Sequence, residues 1–377
     1  MTASPAPAAP LIAVPSEVRC AQDYETLASR SIAAPTLAYI AGGSGRDLTV
    51  AANVAAFAEF DIVPRLLRDV AAGHTRHVLG GQAFEHPLLL APVAHQKLVH
   101  GEGELASARA AHATDSGIVC STLSSYSLED IAPLAGARRW LQLYFQPSRN
   151  STLDLLRRAE DAGFSTVVVT LDAAIQVASL RALQAGFRLP ADCVAANLQG
   201  YENPPSFELA PPDSRIFQGV MRLAPTWRDL DWLMMQSRLP IWVKGVLHPE
   251  DARDLQQRGV AGLVVSNHGG RGLDGVPASL RALPAVRDTV GEAFPLLFDG
   301  GIRSGADAFK ALPLGADAVM IGRLQLYALA AAGALGVAHM LKLLREELEV
   351  CMALTGCATL DQINRDVLIP AAPKHGP

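Results

Sequence analysis

The stretch Ser266-Asn267-His268-Gly269-Gly270-Arg271-Gly272-Leu273-Asp274 sets an imidazole and a guanidinium three positions apart, directly after the apolar run Gly262-Leu263-Val264-Val265. Histidine changes charge near neutrality and suits proton transfer. Arginine grips an anion through parallel hydrogen bonds. At the end of a buried strand the two make a base beside an anion clamp, and the glycines between them allow a flat ligand to approach the backbone. The plainer alternative is a glycine-rich loop in which Arg271 pairs with Asp274 and His268 only packs. Polar groups also follow the other apolar runs: Ala94-His95, Ser121-Thr122, Gln142 with Tyr144, Thr170 with Asp172, Lys244, Asp299 with Arg303, and Gly322-Arg323. In Asp299-Gly300-Gly301-Ile302-Arg303-Ser304-Gly305 and Ile321-Gly322-Arg323, glycine amides, a helix N-terminus and arginine combine into a phosphate site. Lys244 has three open readings: a cation against an electron-rich ring, a Schiff-base lysine, or one half of a structural ion pair.

The elements that must position these residues alternate regularly. Strand-like runs fall at Leu88–Val93, Ile118–Ser121, Trp140–Phe145, Thr166–Leu171, Ile241–Val246, Gly262–Asn267, Leu296–Asp299 and Ala318–Ile321. Amphipathic helical stretches such as Gly103–Asp115, Ser151–Ala162, Pro249–Arg258 and Ser304–Leu312 separate most of them. Eight strand-then-helix units predict an α/β fold, a closed (β/α)8 TIM barrel, with the active site at the carboxyl ends of the strands. Residues 173–239 exceed one crossover helix and contain Asn203-Pro204-Pro205 and Pro211-Pro212. They predict a long loop over the barrel mouth after strand four. The N-terminal extension should be helical over Ser16–Ser31, Pro35–Ile40 and Arg46–Phe60, and Ala328–Ala353 should close the fold. Residues 1–15, rich in alanine and proline, predict a disordered tail ahead of one domain at 16–370.

Of 377 residues, 50% are hydrophobic and 18% charged, and the net charge is −5. A sizeable core is therefore available, and no basic footprint points to nucleic acid. The five scattered cysteines form neither a metal-ligand spacing nor a disulfide framework, which predicts a reducing cytoplasm and no metal. No secretory signal or membrane span is expected.

With these motifs in place, a resemblance emerges. Ser266–Asp274, Ala91-Pro92-Val93-Ala94, Gln142-Leu143-Tyr144, Val243-Lys244-Gly245-Val246, Asp299–Gly305 and Ile321-Gly322-Arg323 resemble the FMN-dependent α-hydroxy acid oxidases and dehydrogenases. That family includes glycolate oxidase, lactate oxidase, mandelate dehydrogenase and hydroxymandelate oxidase. The likeness runs from about Tyr39 to the C-terminal helices. Thr122-Leu123-Ser124-Ser125 and Ser127-Leu128-Glu129-Asp130 look most like the hydroxymandelate oxidase branch. The resemblance implies FMN as cofactor and a small (S)-2-hydroxy acid as substrate, with oxygen reduced to peroxide and a homotetramer. Ala94, Ser121, Gln142 and Thr170 would hold the ring, Lys244 and Ser266 would lie at the cofactor, and Asp299 would meet the ribityl chain. Gly301, Arg303, Gly322 and Arg323 would take the phosphate. His268 would be the base, supported by Asp172; Arg271 and Tyr39 would bind the carboxylate, and Tyr144 the reacting oxygen.

The chain departs from the pattern at one point. The family's second carboxylate arginine, nine residues after the fourth-strand threonine, is Ser179 here, with Arg181 two positions on as a substitute substrate ligand. Loss of a charge-assisted hydrogen bond costs about 1.5–3 kcal/mol, so a larger acid, a slow enzyme or a flavin-binding protein without turnover are the alternatives. An aldolase built on Lys244 is a further one. Alanine at Ala94 is the oxidase-like choice, where several dehydrogenases carry glycine; a dehydrogenase using another electron acceptor is the remaining alternative.

Overall fold

A computed structural model describes residues 13–175 and 177–372. The greater part of the expected tail, residues 1–12, lies outside the described residues. Eight parallel strands close into a barrel: β1 Leu88–Leu90, β2 Gly117–Ser121, β3 Arg139–Leu143, β4 Val167–Thr170, β5 Ile241–Val246, β6 Gly262–Val265, β7 Leu296–Asp299 and β8 Ala318–Ile321. β7 pairs β6 on one side and β8 on the other, and β8 pairs β1, so no edge remains.

The period-two alternation of strand side chains explains how this barrel makes a site. On each strand an inward residue in the lower layer belongs to one apolar cluster: Leu89, Val119, Trp140, Val168, Trp242, Val264, Leu297 and Met320. Two residues further on, at the carboxyl end, stand Ala91, Ser121, Gln142, Thr170, Lys244, Ser266, Asp299 and Gly322. The floor is dry and the mouth polar, because the same inward stripe changes chemistry one layer up. A hairpin, His77–Leu79 with Gln82–Phe84, plugs the floor. Its Leu79 and Phe84 join the apolar cluster, and its Gln82 accepts a hydrogen bond from Trp140 Nε1 at 3.2 Å.

The N-terminal extension is helical at Asp23–Ser31, Ala34–Ala41 and Leu48–Ala55; the first and third start later than the periodicity suggests, and the second is one residue longer at each end. The helix Arg323–Thr355 breaks at Ala332-Gly333. It is long and apolar enough to cross a membrane, but 78% of its most apolar window is buried in the fold, so it is a core helix. The excursion at 173–239 is present. Its first part turns in over the mouth, and Asn197 pins the rest by accepting from Leu128 N at 2.9 Å and donating to Thr122 O at 3.3 Å.

Candidate active site

A cavity of about 510 Å³ opens at the carboxyl ends of the strands, and it gathers residues from both ends of the chain. Tyr39, Ala94, Ser121, Gln142, Tyr144, Thr170, Lys244, His268, Arg271, Asp299, Gly301, Arg303, Gly322 and Arg323 all line it.

On its wall stands His268, whose Nδ1 lies 2.8 Å from Oδ1 of Asp172 behind it. A carboxylate can only accept, so Nδ1 carries a proton, and in the neutral imidazole the Nε2 lone pair faces Tyr144 OH, 3.4 Å away. The His268 backbone sits in the left-handed region (φ 59°), an unusual conformation held by its amide bond to Ser266 Oγ at 3.0 Å. Burial works to raise the Asp172 pKa. Lys244 and the His268 hydrogen bond outweigh it and hold the carboxyl below its ordinary 3.8. Burial, with Asp172 adding to it, raises Tyr144, which keeps its proton as a donor.

Asp172 approaches so closely because β5 bulges. The register to β6 shifts between Lys244 and Val246, and Gly245 at the bulge has φ +104°. A Cβ there would stand 2.5 Å from Asp172 Cβ, so only glycine fits. Lys244 Nζ then donates to Ser266 Oγ at 2.8 Å and pairs with Asp299 Oδ2 at 3.3 Å, and Ser266 donates to Asp299 Oδ1 at 2.6 Å. Burial penalises the Lys244 cation, but Asp299 and Asp172 more than offset it and its pKa is raised. The pairing with Asp299 and Ser266 bears out the ion-pair reading of Lys244, and its place on the cavity wall agrees with the ring-facing one.

Two sequence expectations change here. Ser266 was expected at the cofactor. It is wholly buried, lies behind the cavity wall, and spends its hydroxyl on Lys244, Asp299 and the His268 amide. It is a support. Arg181 was expected to replace the missing arginine in binding substrate. Its guanidinium is drawn outward to Asp47 at 2.7 Å and is absent from the cavity lining, because the short helix Leu180–Gln184 begins at Ser179 and turns Arg181 away. An Arg181→Ala variant should therefore leave the KM for an acid substrate within about twofold of wild type, as expected for an exposed pair. A tenfold rise in KM would restore Arg181 to the site. Asp274 accepts from the Arg46 and Thr49 amides, so it does not pair with Arg271 as the plainer alternative required.

The cavity has the makings of a cofactor site. Gln142 Nε2 and Thr170 Oγ1 are buried on its wall without a hydrogen-bond partner among the described residues. Such groups are costly unless a ligand satisfies them. Gly301 (φ +87°) leaves no space for a side chain, since a Cβ would lie 2.2 Å from Asn53 O. At that end Arg323 donates to Ile40 O, Gly269 O and Gly42 O, and Arg303 pairs with Glu25 at 2.9 Å. Burial, with the charge of Arg271 beside it, pushes the Arg323 pKa down to about 10. A buried cation among cations favours an anion.

The sequence profile described as FMN-dependent dehydrogenase matches residues 28–370. The chain belongs to this family. FMN is its cofactor, and the orphaned Gln142 and Thr170 groups, the Lys244 cation and the arginine end fit the ring and phosphate of that molecule. Among its relatives is an L-lactate oxidase of Alicycliphilus denitrificans, 63% identical over 95% of this chain and 98% of that one. A 4-hydroxymandelate oxidase of Amycolatopsis orientalis is 40% identical over 91% and 96%. Identity is thus higher to that lactate oxidase than to this member of the branch suggested by residues 122–130. A crystal structure of mandelate oxidase with (S)-2-phenylpropionate superposes with a TM-score of 0.84 at 39% identity, covering 94% of this chain and 98% of that one.

The walls from Ile175 to Leu189 were not identified residue by residue from the sequence. Ile175, Val177, Leu183, Phe187 and Leu189 line the cavity, and no strand or helix period flagged them because they sit in or around a helix of only five residues, Leu180–Gln184. His95, left-handed at φ 53° and with its buried Nδ1 unpartnered among the described residues, also lines it.

Proposed function

We propose that this FMN protein oxidises a 2-hydroxy acid of S configuration to the 2-oxo acid, with oxygen as acceptor and hydrogen peroxide as the second product. The observation that carries the reading is the His268–Asp172 pair, with its free Nε2 beside an arginine and a tyrosine in one cavity. Arg271 and Tyr39 bind the carboxylate, and Tyr144 OH donates to the substrate's reacting oxygen. His268 Nε2 takes the hydroxyl proton, and Asp172 stabilises the imidazolium that results. FMN supplies the two-electron acceptor for the carbon–hydrogen bond. The Lys244 cation supports negative charge developing on that side of the cavity. Ala94, the oxidase-like residue, supports oxygen as acceptor. The side chain of the acid faces Ile175, Val177, Leu183 and Leu189, which suits an apolar group.

A cytoplasmic homotetramer remains part of this proposal: the free cysteines support the compartment and the family resemblance supports the assembly.

Anaerobic mixing of the yellow protein with L-lactate, glycolate, (S)-mandelate and longer (S)-2-hydroxy acids tests the reading by bleaching of the bound flavin. Aerobic peroxide formation then identifies the acceptor. Flavin that stays oxidised with every acid would leave a flavin-binding protein without this activity.

The pH dependence of stability reports on the same pair. Because Asp172 is held below 3.8 in the fold, its contribution is complete above the unfolded value near 3.9 and is lost as pH falls through the lowered folded value. Denaturation midpoints of wild type and Asp172→Asn, followed from pH 6 to 2.5, should converge at the acid end. A gap of constant size would mean that the carboxylate does not titrate in this way.

A further inference from the structure

Arg271 does not stand alone at the substrate end of the cavity. Its Nη1 donates to the carbonyl oxygens of Tyr39 and Gly42, at 2.9 and 3.2 Å. That uses the two hydrogens of one nitrogen. The Nε and Nη2 edge, which presents two parallel donors, has no partner among the described residues and is the edge that matches a carboxylate. These bonds hold the Nη1 corner of the planar group, while the far edge, with Nε and Nη2, has no hydrogen bond of its own among the described residues to fix its tilt. What limits that tilt is a column of flat groups. The Arg271 guanidinium carbon lies 4.5 Å from the centroid of the Tyr39 ring. The Phe187 ring lies 4.2 Å from the same centroid, inclined by only 9°. Two groups so close to one centroid occupy opposite faces, so Tyr39 is held between them.

Phe187 belongs to the segment after strand four and follows the helix Leu180–Gln184. That segment is tied to the N-terminal turn by the Arg181–Asp47 pair and by Gly45 N donating to Ala178 O at 3.2 Å. Phe187 and the guanidinium it backs therefore come from different parts of the chain, and they meet only when this segment lies over the mouth. Arg323 meets Arg271 at Gly42 O, but each of its three nitrogens already donates to a backbone carbonyl, of Ile40, Gly269 and Gly42, so among the described residues Arg271 is the guanidinium here with a whole edge left open. The orientation of one side chain thus decides how firmly a carboxylate is held.

We infer that Phe187 is a positioning residue for the substrate carboxylate: it presses the Tyr39 ring onto the Arg271 guanidinium and keeps the Nε/Nη2 edge turned into the cavity. The inference rests on the proposed oxidation of a hydroxy acid, and it adds a residue that touches neither the reacting carbon nor the base. Because the column acts on binding and not on proton transfer, its loss weakens the grip on any carboxylate and leaves the chemical step nearly untouched.

The test uses the FMN-loaded protein and compares Phe187→Leu, which keeps apolar bulk, with Phe187→Tyr, which keeps the stack. Two quantities are read: KM and kcat for L-lactate or the best acid of the panel, and the dissociation constant of oxalate, titrated on the absorbance of the bound flavin. Phe187→Leu should raise both KM and the oxalate constant roughly three- to tenfold, the size of one stacking contact. It should change kcat less than about twofold, and Phe187→Tyr should return wild-type values. If Phe187→Leu and Phe187→Tyr behave alike, whether both normal or both impaired, stacking is not what Phe187 contributes and the inference is overturned. The same follows if kcat falls while KM holds. Failure of the functional reading is a separate result: no acid would bleach wild-type flavin, while the oxalate titration would still report the clamp. Phe187 is only half-buried, so both variants are expected to fold, and a melting curve with the flavin-to-protein ratio checks this.

Discussion

Replacing His268 with glutamine is expected to lower kcat by about 10²- to 10⁴-fold, the contribution of a positioned general base, while the protein stays yellow and folded. Glutamine can reach Asp172 as a donor, much as Nδ1 does at 2.8 Å, so the carboxylate keeps a partner. It cannot accept a proton at the position of Nε2, where Tyr144 OH now points. The effect should fall on kcat and on kcat/KM together, because the lost interaction exists only as the proton moves. Anaerobic stopped-flow reduction of the bound flavin separates this step from reoxidation. A variant that bleaches at the wild-type rate would remove His268 as the base and leave Tyr144 as the nearest proton-bearing group.

Lys244→Met should be the most damaging single change to stability. The Lys244 and Asp299 side chains are 5% and 10% exposed, and the serine between them is fully buried. Taking away one member of such a pair leaves an uncompensated charge in the interior, at a cost of about 3–5 kcal/mol. Here the consequence spreads, since Asp172 also depends on Lys244 to stay ionised against burial. The midpoint of denaturant unfolding, measured with and without added FMN, checks it. A loss below about 1 kcal/mol would show that the carboxylates are relieved by other means and that the pair does not support the site. Lys244→Arg keeps the charge but overfills a β5 position whose neighbour Gly245 already touches Asp172, so it should be intermediate.

The barrel was legible because a repeating pattern carries it. Eight apolar runs spaced by amphipathic helices admit few arrangements, and all eight fall within a few residues of the strands observed. The site was legible for a related reason. Its polar residues occupy the last inward position of nearly every strand, two places after an apolar floor residue, so Gln142 follows Trp140 and Lys244 follows Trp242. Ser266 shows where this reasoning stops. It holds the same inward position as the others, yet it lies behind the wall, because two stronger partners, Lys244 and Asp299, claim its hydroxyl.

The segment after β4 was not legible beyond its length. Sequence spacing puts Arg181 two residues from Ser179 and equally able to turn inward. The outcome hangs on Asp47, more than a hundred residues earlier, whose left-handed backbone (φ 64°) opens the helix Leu48–Ala55 and holds its carboxylate toward Arg181. The stacking of Phe187 on Tyr39 is a meeting of the same kind.

The sequence by itself determined the barrel, the floor-to-mouth change from apolar to polar, and the roster of side chains gathered at the cavity, because these depend on local period and on residue type. Tertiary structure alone decided which of those side chains face the cavity and which are spent on each other. Ion pairs and ring stacks between segments far apart in the chain are set by distances that no local pattern encodes.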